Sequence, residues 1–136
     1  MTVEEIKNRV MFQTNNDVDD MEDYMPYLMG YINEGYDKLV YAFAKVHLSD
    51  DPNDTYSDLT DDMDEPALPV RFHPAIADWA TWLVYRNGNP QKQQRGMAYR
   101  SAFEEILSQI RGEGGEAGLN EDGTRIQYKY FRNIPR

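Results

Sequence analysis

His73-Pro74-Ala75-Ile76-Ala77-Asp78-Trp79-Ala80-Thr81-Trp82-Leu83-Val84-Tyr85-Arg86-Asn87-Gly88-Asn89-Pro90 is the stretch that decides the fold. Ile76, Trp79, Ala80 and Leu83 recur at the three- and four-residue spacing of one helical face, and Pro74 stands at the helix start, where its missing N–H costs nothing. Asn87-Gly88 stops the helix with a residue able to take positive φ, and Asn89-Pro90 restarts the chain at once. Tyr99, Phe103, Ile106, Leu107 and Ile110 then mark the buried face of a second helix that Gly112 is expected to end. So short a connection makes the pair an antiparallel hairpin.

Working outward, the segment before the hairpin carries Leu28, Ile32, Leu39, Phe43 and Val46 in helical register, with Gly35 in the same stripe. The spacing predicts a long main helix from about 23 to 46, with Pro26 in its first turn. Gly30 and Gly35 each weaken such a helix by about 1 kcal/mol relative to Ala, which points to close packing against a neighbour. At the start of the chain, Thr2 and Glu5 have capping-box spacing, and Val3, Ile6 and Val10 share a face, so a first helix over about 3–13 is expected. Asn15-Asn16-Asp17 and Asp19-Asp20 should break it, because these side chains compete for backbone hydrogen bonds.

Between the main helix and the hairpin lie Asp50, Asp51, Asp54, Asp58, Asp61, Asp62, Asp64 and Glu65, eight negative charges in sixteen positions with no Lys or Arg. Such a run repels itself and predicts a solvated acidic loop, closed by Leu68-Pro69. At the other end, the glycine-rich stretch 112–124 reads as a hinge. It leads to an arm, 125–136, whose Arg125, Lys129, Arg132 and Arg136 face no acidic residue, while residues 1–124 sum to −14. Ile126, Tyr128 and Tyr130 alternate with Gln127 and Lys129, and Phe131 and Ile134 follow. Alternation is strand spacing, and a strand tethered to helices needs a partner. The expected architecture is therefore all-α: about four helices in a domain over 1–111, with an acidic loop, a hinge and an extended C-terminal arm that adds a strand to another protein.

At 136 residues the chain holds one domain and an arm. The absence of cysteine excludes disulfides, thiol nucleophiles and cysteine-ligated metals. Met1-Thr2-Val3-Glu4-Glu5 lacks signal-peptide chemistry, and no apolar run approaches the ~20 residues of a membrane span, so a soluble intracellular protein without a membrane partner is expected. A net charge of −10 argues against broad duplex-DNA binding.

Enzymatic chemistry finds little purchase. His47 and His73 stand apart from any cluster of ligands; His47 suits a helix C-terminus, and His73 is expected to form a local cap or to pack near Trp79. Asp51, Asn53 and Thr55 have the alternate spacing of calcium ligands, but Tyr56 occupies the turn position that requires glycine and Asp62 is short for the twelfth ligand. Gly112-x-Gly114-x-x-Ala117 follows a helix instead of a strand and brings Glu113 and Glu116 to where phosphates would sit. Asn53-Asp54-Thr55 matches a glycosylation sequon with nothing directing the chain to a secretory compartment. No catalytic residue, metal or cofactor is assigned. Tyr24, Tyr27 and Tyr31 form a stripe that either flanks the core with hydroxyls in water or makes contacts between subunits.

The order of these features resembles the head–tail connector (adaptor) proteins of tailed bacteriophages. The likeness runs over about residues 2–111: a short first helix, a long second helix with Tyr31-Ile32-Asn33-Glu34, Leu68-Pro69, then His73-Pro74-Ala75-Ile76 opening a helix that ends in Tyr85-Arg86-Asn87-Gly88. The closing helix carries the aromatic-bearing Tyr99-Arg100-Ser101-Ala102-Phe103. The acidic insertion at 50–65 is longer and more charged than the family pattern, and the arm has no family signature. The resemblance implies a structural subunit of the virion neck, made in the host cytoplasm, that assembles with itself as a ring, usually twelvefold. The ring would lie between the portal protein and the next neck or tail component and surround the channel through which DNA passes without specific binding. Arm residues Arg125, Ile126, Tyr128, Lys129, Tyr130, Phe131, Arg132, Ile134 and Arg136 would dock on the portal, Tyr24, Tyr27 and Tyr31 would join subunits, and the acidic loop would face channel or solvent. Two alternatives stand beside it: another neck or tail-completion protein, and a small acidic module that binds a host protein as a DNA mimic.

Overall fold

The computed structural model of the chain describes residues 1–14, 24–47 and 57–113. Four helices follow one another: α1 (Val3–Gln13), α2 (Leu28–His47), α3 (His73–Arg86) and α4 (Pro90–Glu113), and no strand occurs among the described residues. Single 3₁₀ turns at Met25–Tyr27 and Val70–Phe72 lead into α2 and α3.

α3 is the central helix and touches each of the other three. Its expected face is buried at Ile76, Ala80 and Leu83, each with no exposed surface, and burial extends to Ala75, Ala77, Thr81, Trp82 and Tyr85. Side chains the size of Ile76 or Leu83 contribute about 1.5–3 kcal/mol each when removed from water. The hairpin is antiparallel, because Trp79 meets Phe103 at a ring separation of 4.7 Å while Tyr85 stacks on Tyr99 at 6.2 Å. Gly96 is the point of closest approach: a Cβ there would lie 2.7 Å from Tyr85 Cβ and 2.8 Å from Trp82 Cε3. α2 also runs against α3, from Tyr31 beside Asn87 to Phe43 beside Phe72. Gly35 lets the two backbones close, since its Cβ would stand 3.0 Å from Trp79 Cβ. Gly30 has nothing within 4 Å of such a Cβ, so the packing expected to compensate both glycines exists only at Gly35.

α1 runs parallel to α3. The capping box forms as the spacing predicts, Glu5 N–H donating to Thr2 Oγ1 at 3.2 Å and Thr2 N–H to Glu5 Oε1 at 3.3 Å. Val3, Ile6 and Val10 are fully buried.

Two boundaries differ from expectation. The spacing has the main helix run unbroken from about Asp23, which lies outside the described residues; among the described residues Pro26 stands in a 3₁₀ turn, and the long α-helix runs from Leu28. The last helix passes through Gly112 to Glu113, because a glycine in open surroundings weakens a helix without breaking it. The arm, nearly all of the hinge, and the predicted break at 15–20 lie outside the described residues.

Candidate functional site

The described part of the acidic run, residues 57–65, is more than a solvated loop. An α-helix leaves its first N–H groups without intrahelical partners. In α1 two of these donate across the fold, Val3 N–H to Asp64 O and Glu4 N–H to Asp62 O, both at 2.9 Å. The segment is shaped for this by Asp64, whose Oδ2 accepts from Thr60 N–H and Asp61 N–H at 3.0 Å and from Thr60 Oγ1 at 3.3 Å. These bonds, Thr60 N–H first, hold the Asp64 carboxyl below the ordinary aspartate value. Lys7 Nζ reaches Asp62 Oδ1 at 2.7 Å, in an exposed pair of modest worth.

The same segment is pinned to α2. Asn33 donates from Nδ2 to Leu59 O at 2.9 Å and accepts Leu59 N–H at 2.8 Å, using one side chain to mimic a strand partner. Ala67 N–H donates to Tyr36 Oη at 3.0 Å, and Leu59 and Leu68 enter the core. Asp58, Asp61, Asp62 and Glu65 keep their side chains in solvent, as the charge run implies. Asp37 lies beside Asp58, and partial burial, the neighbouring charge and a hydrogen bond between the two carboxyls push Asp37 up. Asp50, Asp51 and Asp54, with the calcium-like Asp51, Asn53, Thr55 and Tyr56, lie outside the described residues.

His73 is neither a local cap nor a surface residue packed near Trp79. It is 2% exposed, with both ring nitrogens occupied. The Met1 ammonium, which can only donate, lies 2.8 Å from Nδ1, and Leu68 O, which can only accept, lies 2.8 Å from Nε2. The His73 ring thus uses both nitrogens in contacts within the fold. Its role is to join the start of α1, the acidic segment and α3.

At the far end of α1, Gln13 is the clamp. Its Nε2 donates to Asp78 Oδ1 at 3.0 Å, its Oε1 accepts from Thr81 Oγ1 at 2.7 Å, and its backbone O accepts from Tyr85 Oη at 3.3 Å. Burial pushes the Asp78 carboxyl up, against the opposing effects of the Gln13 bond and the Arg9 charge.

The tyrosine stripe divides. Tyr24 is 5% exposed, and its hydroxyl lies 2.9 Å from Thr14 Oγ1, so it belongs to the core and is corrected from a subunit-contact residue to an internal tie between α1 and the start of α2. Its turn away follows from the 3₁₀ geometry after it, which breaks the α-helical register that aligned it with Tyr27 and Tyr31. Tyr27 is 61% exposed and stacks on Tyr31 at 6.4 Å, with Met25 and Pro26 also at the surface. Asn87 Nδ2 donates to Tyr31 Oη at 3.1 Å, tying this aromatic ledge to the end of α3.

Sequence periodicity singled out none of Asn33, Tyr36, Gln13 or Thr14, because polar residues at helix flanks give no periodic signal; their bonds span up to 72 positions. The arm residues from Arg125 to Arg136 lie outside the described residues. Among the described residues no group of three or more His, Asp or Glu is placed to hold a metal ion, and no helix is long and apolar enough to cross a membrane. No protein-family model matches this chain, and no curated protein or solved structure matches it either.

Proposed function

We propose that the chain is a structural, non-catalytic subunit of a phage neck, a head–tail connector that binds the portal through its C-terminal arm and its own copies through the helical body. The observation that carries this reading is the division of charge at Thr124: four cations and no acid in 125–136, against −14 in the residues before. A basic, aromatic, alternating segment joined by glycines to an acidic helical body is suited to adding a strand to an oppositely charged sheet edge. The body supports the reading in a second way. Its conspicuous polar groups, His73, Asp78, Gln13 and Asn33, are engaged in holding elements together, while the Tyr27–Tyr31 ledge stays open for a neighbour. Exposed Asp58, Asp61 and Glu65 would give a ring a negative wall that repels DNA phosphates and lets a genome slide.

Co-sedimentation with the cognate portal protein, comparing the full chain with one ending at Thr124, tests this directly. Binding that is lost on truncation places the anchor in the arm. Binding by both chains moves the anchor to the body. Binding by neither, with an intact portal, sinks the connector reading.

A further inference from the structure

We propose that copies of this chain join head to tail, the acidic segment 57–65 of one copy seating on the aromatic and cationic strip that Tyr27, Tyr31 and Lys38 of α2 form with Trp79 and Arg86 of α3 on the next. The inference rests on the connector reading and deepens it, naming the two surfaces through which the helical bodies meet.

The receiving strip follows the seam between two antiparallel helices. Tyr27 and Tyr31 stack at 6.4 Å, and Asn87 at the end of α3 holds the Tyr31 hydroxyl. Lys38 stands about two turns beyond Tyr31, with Nζ 5.1 Å from the centre of the half-buried Trp79 ring. Arg86 stands about two turns beyond Trp79 on α3, next to Asn87. Lys38 and Arg86 are exposed and enter no ion pair among the described residues, in a chain of net charge −10. Glu34 is the acid beside them on α2. Rings with few rotors to freeze, edged by cations, suit an acidic partner with an apolar tip.

That chemistry is present in the same chain. Segment 57–65 exposes Asp58, Asp61, Asp62 and Glu65, and among them Met63 is 70% exposed. Lys7 at Asp62 and the Met1 ammonium, 3.7 Å from Glu65, offset part of the charge, while no Lys or Arg lies within the segment. Its backbone is held by Asp64, by Asn33 and by the first N–H groups of α1, so Met63 is presented with little left to order on binding. A thioether against aromatic rings is a favourable contact, and carboxylates beside Lys38 and Arg86 supply direction.

The two surfaces face apart within one molecule. Asn33, which pins Leu59, stands two residues from Tyr31 and about 200° around α2. Asp37, which meets Asp58, is turned from Tyr31 by about 240°. The segment therefore occupies one flank of α2 and the ring strip the other. Complementary surfaces on opposite flanks pair only between copies. Such a contact is heterologous: it repeats from copy to copy and closes as a ring when the rotation allows.

Charge reversal at exposed side chains tests both surfaces. The parent should self-associate in sedimentation equilibrium at 0.1 M salt, where a Debye length of about 10 Å already screens repulsion between whole bodies, and less in 1 M salt. Lys38→Glu with Arg86→Glu, and separately Asp58→Lys with Glu65→Lys, should each weaken association by about tenfold or more. The chain carrying all four changes should recover it, because unlike charges again oppose. Met63→Ser should weaken association and leave its salt dependence as in the parent, since it removes apolar contact alone. Circular dichroism verifies that each variant keeps its helices. A parent that stays monomeric at about 1 mM has no such interface. Association that neither reversal changes, or that a folded fourfold variant fails to recover, places the contact elsewhere and overturns the proposal. Portal binding is measured separately: failure of the charge swap with portal binding intact sinks this interface alone, and a working swap without portal binding sinks the connector reading alone.

Discussion

Single residues decide how closely the three long helices approach. Gly96 and Gly30 are both glycines inside helices, yet their surroundings assign them opposite substitution energies. At Gly96 a methyl group would meet Tyr85 and the Trp82 ring inside 3 Å, and Trp82 is 7% exposed and cannot swing away. Gly96→Ala should therefore destabilise the fold by about 1–3 kcal/mol, the usual cost of overpacking, seen as a lower midpoint in denaturant. Gly30→Ala adds a methyl into open space and removes backbone entropy from the unfolded chain, so it should stabilise by about 0.5–1 kcal/mol in the same measurement. His73 belongs at this scale too. A histidine next to a proline at a helix start suggests a cap, and the structure buries it as a three-way joint.

Among the elements, α1 and the segment 57–68 form one clasp on α3, held at one end by Asp64 and His73 and at the other by Gln13 and Asp78. The two carboxyls act in opposite directions with pH. Asp64 is held below 3.8, so the folded state favours its charged form. Its contribution is complete above that value and is lost as pH falls through the lowered one. Asp64→Ala should lower stability at pH 7, and the difference from the parent should vanish in strong acid; urea titrations across pH measure it. Asp78 is pushed above 3.8, so the folded state holds its proton more tightly than the unfolded state does. Its contribution is present below 3.8 and is lost as pH rises through the raised value. Asp78→Asn should flatten that fall and leave the protein more stable than the parent at neutral pH, with Gln13 still able to donate to the new amide oxygen.

Across the whole molecule, charge is the organising quantity. An acidic body with a basic arm would make the proposed arm-mediated binding to the portal sensitive to ionic strength, because the Debye length shortens from about 10 Å at 0.1 M to about 3 Å at 1 M. Portal binding by the full chain should weaken steeply over that range, and replacing Arg125, Lys129, Arg132 and Arg136 by Gln should remove most of the salt dependence along with most of the affinity. Binding that persists unchanged in 1 M salt would place the anchor on apolar contacts instead.

The helical hairpin, the capping box of α1 and the stripe of α2 could all be read from the chain before it folds. Each is written in residues a few positions apart, and the energies that form a helix, apolar periodicity and local capping, act over that distance. The division of charge between body and arm was legible for the same reason, since composition needs no fold. Which side chains meet across long separations came instead from the packing of the helices. Asn33 finds Leu59 over 26 positions, Gln13 finds Thr81 over 68, and His73 finds the Met1 nitrogen over 72. It also took Tyr24 from the ledge and put it in the core, and turned part of a charge run into a clasp. A run of aspartates carries no periodicity to say which of them will receive an N–H. That is settled by where the packed helices leave donors without partners, and burial then makes those partners obligatory.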